Sequence, residues 1–178
     1  MSGQAVNETR QWLEDWVIRL KLCPFAKYPH ENNQVRIVET QSTEEDEIFN
    51  VVLSELDYLY HAEPSETETT LVVIENGLAS FDQYLDFLHL LEQVLPETGL
   101  EGTIQIASFH PDYCFEGESQ DDPANLTNRS PYPMFHLIRE ASIEKALANY
   151  PDPDANDSET DSIFSETSSH RYSLSSSS

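Results

Sequence analysis

Positive charge is what this chain has least of. Nine Lys and Arg stand against 33 Asp and Glu, a net charge of −24, and that imbalance argues against nucleic acid or an anionic membrane surface as partner. Between Arg36 and Arg129 there is no Lys or Arg at all. Arg10, Arg19, Lys21, Lys27 and Arg36 precede this gap, and Arg129, Arg139 and Lys145 follow it. If the two ends meet in the fold, they form a positive spot suited to an anionic ligand; solvation of helix surfaces is the plainer account of most of these side chains. Cysteine is nearly as scarce. Two residues with no repeated spacing make neither a disulfide framework nor a zinc ribbon. No apolar run is long enough to span a bilayer, and Met1-Ser2-Gly3-Gln4 lacks the basic and apolar regions of a signal peptide. A cytoplasmic protein with reduced thiols and no membrane partner is the resulting expectation.

What is present suffices for one core. A chain of 178 residues, 38% hydrophobic, fits one domain with part of its length left outside. Residues 152–178 are Asp, Glu and Ser with scattered aromatics, a composition that cannot bury enough apolar surface to offset ordering entropy. They are expected as a disordered acidic, Ser-rich tail after a single α/β domain over residues 1–151.

Within that domain, Trp12, Leu13, Trp16, Val17 and Leu20 recur at helical spacing and predict a core-facing helix from about Gln4 to Leu22, ended by Pro24. Tyr28-Pro29-His30 then leads into a polar turn at Glu31-Asn32-Asn33. Val35–Glu39 reads as a strand. Ser42 with Glu45, and Ser80 with Gln83, read as capping boxes opening helices with apolar faces Ile48 to Leu59 and Phe81 to Leu95. Thr70–Glu75 is a continuous apolar run rich in β-branched residues, the mark of a strand buried on both faces. Thr103–Ala107 is a third strand, and a helix is expected from about Pro133 to Arg139, breaking near Ser142 and resuming to Asn149. Strand, helix, strand, helix, strand implies a small, mostly parallel three-stranded sheet with flanking helices.

The long connection from Ser108 to Pro133 carries the candidate site, because loops of this length in compact domains are usually functional or disordered, and this one is rich in aromatics and Pro. Ligands sit at the carboxyl ends of strands in open α/β sheets, which here are Glu39-Thr40, Glu75-Asn76 and Ser108-Phe109-His110. His110 is a candidate acid-base, with Glu75, Asp112, Asp121 and Asp122 as companions; equally it stitches the loop by hydrogen bonds. Cys23 is a candidate nucleophile or a buried structural thiol. His110 and Cys114 with Cys23 or His30 match a metal in ligand type but no zinc spacing, so no metal site is assigned. Asn76, Asn125, Asn128, Arg129 and Ser130 are candidate binders of a carboxylate or phosphate; the alternative is that Asn and Ser cap turns and Arg129 pairs with an acid.

Leu22-Cys23-Pro24-Phe25-Ala26, Phe109-His110-Pro111, Asp122-Pro123, Thr127-Asn128-Arg129-Ser130-Pro131-Tyr132-Pro133-Met134 and His136-Leu137-Ile138-Arg139-Glu140 together resemble a family of bacteria and the plastid lineage, catalogued as domain of unknown function 1415. The resemblance covers about residues 7 to 153 and implies no reaction, cofactor or catalytic residue. The Ser-rich stretch after Asp154 looks peculiar to this chain. Three functions compete on this sequence: a small-molecule enzyme or binder of an anionic ligand at the strand carboxyl edge; an interaction module that uses Tyr113, Phe115, Tyr132 and Phe135 of loop 109–135 to dock a protein partner; and a metal-dependent hydrolase.

Overall fold

The computed structural model describes residues 3–23 and 26–148; the tail expected over 152–178 lies outside them. The centre of the sheet is Thr69–Ile74 (β2), buried at every position, as its apolar run predicts. Val35–Thr40 (β1) pairs parallel to it, with Val35 opposite Thr69 and Thr40 opposite Ile74. On the other side of β2 lies Met134–Arg139 (β4), antiparallel, with Met134 opposite Val73. Ile104–Phe109 (β3) closes the far edge, antiparallel to β4, with Phe109 opposite Met134.

The sheet is therefore four-stranded and mixed, in the order β1-β2-β4-β3, and not three-stranded and mostly parallel. The segment read as a helix over 133–139 is the missing strand. Its side chains alternate, with Phe135 and Leu137 in one apolar cluster and Met134 in the other. A short run buried on both faces has no periodicity that separates strand from helix. Pro133 lends the strand start an acceptor, taking the Ile74 N–H at 2.9 Å. Two antiparallel steps restore direction, so β1, β2 and β3 still point the same way and their carboxyl ends share one edge with the start of β4.

Helices cover both faces. Glu45–His61 (α3) and Phe81–Val94 (α4) place Ile48, Val52, Leu56, Leu59, Tyr84, Phe87 and Leu91 against Val72, Ile74, Phe135 and Leu137. Neither expected capping box forms. Glu44 precedes α3, and Ser42 Oγ accepts its N–H at 3.1 Å while donating to Glu47 at 2.6 Å. Ser80 caps α4 without a side-chain bond, and Gln83 donates to Glu45 instead at 2.8 Å, tying the two helix starts together. A 3-10 turn over Leu95–Thr98 ends at Gly99, whose φ of 75° suits only a residue without Cβ.

The opposite face is covered by Gln4–Trp12 (α1), which runs directly into a π-helical segment, Leu13–Ile18. There the N–H of Leu22 reaches Val17 O at 2.9 Å and that of Arg19 reaches Glu14 O at 3.2 Å, bonds spanning five residues. Apolar spacing alone cannot distinguish this from a regular helix. Ala5, Leu13 and Val17 pack on Leu71, Val73 and Met134. Tyr28-Pro29-His30 lies in a short helix, Lys27–Glu31 (α2), around buried Pro29, and the expected turn follows it at Asn32-Asn33. Glu140–Ala148 (α5) follows β4 without a break.

Candidate functional site

The connection from β3 to β4 is fastened to the sheet edge largely by the polar residues proposed as its site. His110 has no exposed surface. Its Nε2 donates to Leu78 O at 3.0 Å and its Nδ1 accepts the Asp112 N–H at 3.0 Å, so both nitrogens are committed. The ring lies 5.2 Å from that of Phe81 and 5.1 Å from that of Tyr84. Burial holds the imidazole below its ordinary pKa, in the neutral form these bonds require. Its partner Leu78 sits at φ 53°, an uncommon conformation for a branched residue. These are the bonds of the stitching reading, made by a ring with no exposed surface.

The amides follow the same pattern. Asn125, fully buried, accepts the Phe115 N–H through Oδ1 at 2.9 Å and donates through Nδ2 to Ser119 O at 2.8 Å. Asn128 donates to Ser108 O at 3.0 Å, and its carbonyl accepts the His110 N–H at 3.1 Å. That pair of bonds covers the outer edge of β3 where the strand ends. Asp122 accepts the Ala124 N–H at 2.8 Å and caps a 3-10 turn over Pro123–Asn128. Ser130 donates to Tyr132 O at 2.6 Å, and the exposed Asn76 to Gln41 O at 3.2 Å. Cys23 is half-buried against the apolar cluster under α1. Cys114 lies within 3.4 Å of Glu118 O. His30 pairs with Glu14 at 3.0 Å. Among the described residues no three His, Cys, Asp or Glu side chains come together as a metal site.

Glu75 sits half-buried at the end of β2, its N–H on Thr40 O at 2.9 Å. Tyr132, at the entrance to β4, donates to Glu8 at 2.5 Å. That bond, with Glu75 and Glu39 nearby, pushes the phenol up to about 12 and holds Glu8 below the usual carboxylate range. Glu39, at the end of β1, accepts the Val6 N–H in the first turn of α1 at 3.3 Å, where the helix dipole favours a carboxylate. Of the proposed docking aromatics, Phe135 is buried in the core. Tyr113 and Phe115 pack on each other at 5.0 Å, and Tyr113 on Phe81 at 5.2 Å.

Arg129 differs from its neighbours. Its Nε donates to Tyr113 O at 3.1 Å and its Nη2 to Gln120 O at 2.7 Å, so backbone carbonyls fix the side edge of the guanidinium. Among the described residues it meets no carboxylate, unlike Arg36, which grips Glu55 at 2.7 Å. It lines an open groove of about 290 Å³ with Trp12, Trp16, Leu126, Ser130 and Pro131. Trp16 joins the two walls, its Nε1 donating to Leu126 O at 3.3 Å. The two segments that flank the cation gap thus do meet, with Arg129 the one basic side chain lining the groove among the described residues. Sequence reasoning placed Trp12 and Trp16 only in the core. Both are half-exposed, and no pattern in the sequence separates a groove wall from a core face. A second groove, of about 350 Å³, lies among Ser54, Asp57, Tyr58, His61, Ala62 and Glu66.

A mixed four-stranded sheet between two helical layers, with a long ordered loop closing an aromatic groove, defines a small α/β protein whose loop polar residues mostly hold the loop itself. The chain belongs to the family described as protein of unknown function (DUF1415), whose model matches residues 4–170. That match reaches past the point near 153 where the motif resemblance stops, so residues 154–170 fall within the family's length and are not peculiar to this chain. No curated protein and no solved structure gives a significant match.

Proposed function

We propose that this protein binds an anionic ligand with an apolar body in the groove between α1 with its π-helical extension and the loop 126–131. The observation that carries this reading is Arg129. In a chain with 33 Asp and Glu, a guanidinium held by two carbonyls and paired with no carboxylate among the described residues is pre-organised for an anion from outside. Trp12, Trp16, Leu126 and Pro131 supply the apolar walls. Recognition without catalysis fits best, because His110, the central acid-base candidate, has both nitrogens engaged and no exposed surface, and Asp122 is taken up in capping a turn.

The test is a thermal-shift screen of the full chain over amphipathic carboxylates, phosphorylated metabolites and divalent metals, since a ligand that prefers the folded state raises its melting temperature. Amphipathic anions are expected to stabilise the parent and not Arg129→Gln, with Arg129→Lys intermediate because an ammonium lacks the forked geometry. Equal stabilisation of parent and Arg129→Gln would overturn the reading, as would stabilisation by divalent metals alone.

A further inference from the structure

We infer that the ligand of this groove is a single-ring monocarboxylate, an inference that rests on the groove being the binding site. Three properties of the groove select that class. The first is charge. One guanidinium balances one carboxylate, whereas a phosphate monoester carries about −1.5 to −2 at pH 7. Its remaining charge would face a molecule of net −24 with Arg129 the single basic lining residue among the described residues.

The second is geometry. A guanidinium has five N–H donors in a planar fork. Nε and one Nη2 hydrogen are taken by Tyr113 O and Gln120 O. What remains is the end edge, one hydrogen of Nη2 beside those of Nη1, which matches the two oxygens of a carboxylate.

The third is size and lining. About 290 Å³ lies at the lower limit of small-molecule sites, roughly 300–1,000 Å³, a size that suits a single ring. Two indoles, a Leu and a Pro offer faces and edges on which an aromatic or alicyclic ring packs. Ser130 Oγ donates to Tyr132 O, so it adds no donor of its own to those of the guanidinium.

The chain has two Trp, and both line the groove, so intrinsic fluorescence reports occupancy directly. Titrating the full chain with phenylacetate, phenylacetamide and phenyl phosphate separates the hypotheses. Phenylacetate is expected to change Trp emission saturably, with the amide and the phosphate at least ten-fold weaker. Phenyl phosphate binding as tightly as phenylacetate, or more so, would overturn the carboxylate assignment while leaving the groove as an anion site. Phenylacetamide binding equally well would remove the charge requirement. Silence of all three in emission and in thermal shift would overturn the groove itself. Arg129→Lys is expected to lose about ten-fold in phenylacetate affinity. Trp12→Leu, which leaves the Trp16 and Arg129 loop bonds in place, is expected to weaken phenylacetate at least three-fold; undiminished affinity in that variant would overturn the assignment even if the loop in Arg129→Lys fails to form.

Discussion

At the scale of single residues, His110 shows how a catalytic residue type becomes a structural one. Donor to Leu78 O and acceptor from Asp112 N–H, it must be neutral, and its folded pKa is lowered by burial. The unfolded chain takes up a proton near the ordinary value of about 6.5 and the folded chain only at lower pH. The stability contributed by His110 is therefore full above about pH 6.5 and is lost as pH falls through the lowered folded value. In urea unfolding, the gap between parent and His110→Gln is expected to be largest at pH 8 and to shrink toward pH 5.5. A gap that widens in acid would mean that the buried ring is protonated. The sequence placed His110 at the carboxyl edge of the sheet but could not separate acid-base from stitch, because that difference lies in two backbone partners 2 and 32 positions away. The same holds for Asn125 and Asn128. Their side chains are those of an anion site, but Asn125 bonds the loop's own backbone and Asn128 bonds Ser108 O at the end of β3 and the Thr127 hydroxyl.

At the scale of elements, what could be read followed burial pattern and length. β1, β2, β3, α3 and α4 appear close to their expected places because each shows an apolar face of clear period or a β-branched run. β4 could not be recognised, since four of its six residues are buried, on both faces, and so short a run carries no clear period. The π-helical segment could not either, since widening one turn leaves the apolar spacing almost unaltered. Tyr84 joins three of these elements. Its hydroxyl accepts the Phe109 N–H at 3.1 Å and donates to Met134 O at 2.8 Å, standing between two residues that face each other in the β3–β4 ladder. Burial raises its pKa well above the usual phenol, so it remains a donor at any accessible pH. Tyr84→Phe keeps the ring stacked on Phe135 at 4.9 Å but strands a buried donor and acceptor, and is expected to cost about 2–3 kcal/mol. Urea denaturation measures it; a change below about 0.5 kcal/mol would mean that Phe109 and Met134 close up to bond each other.

At the scale of the whole molecule, the sequence predicted the α/β class but neither the fourth strand nor the path of the chain, because a mixed sheet depends on where the last strand inserts. Among the described residues no helix is long and apolar enough to cross a membrane. The acidity is spread over the helices, where Glu45, Asp46 and Glu47 in the first turn of α3 sit favourably at its positive end. The insertion of β4 between β2 and β3 has a consequence in time. As the chain leaves the ribosome, the most buried strand of the protein, β2, has its parallel partner β1 early but lacks its second neighbour until residues 134–139 appear. Until then both β2 and β3 present open edges, the kind of surface on which nascent chains associate wrongly. The sheet cannot be completed before the strand at 134–139 is made, and the domain is expected to close around it cooperatively. A fragment of residues 1–133 is accordingly expected to lack a sigmoidal urea transition and to aggregate. Adding β4 back as a separate peptide should restore native-like Trp emission in a fraction of molecules, as the sheet takes up from solution the strand it was built to receive last.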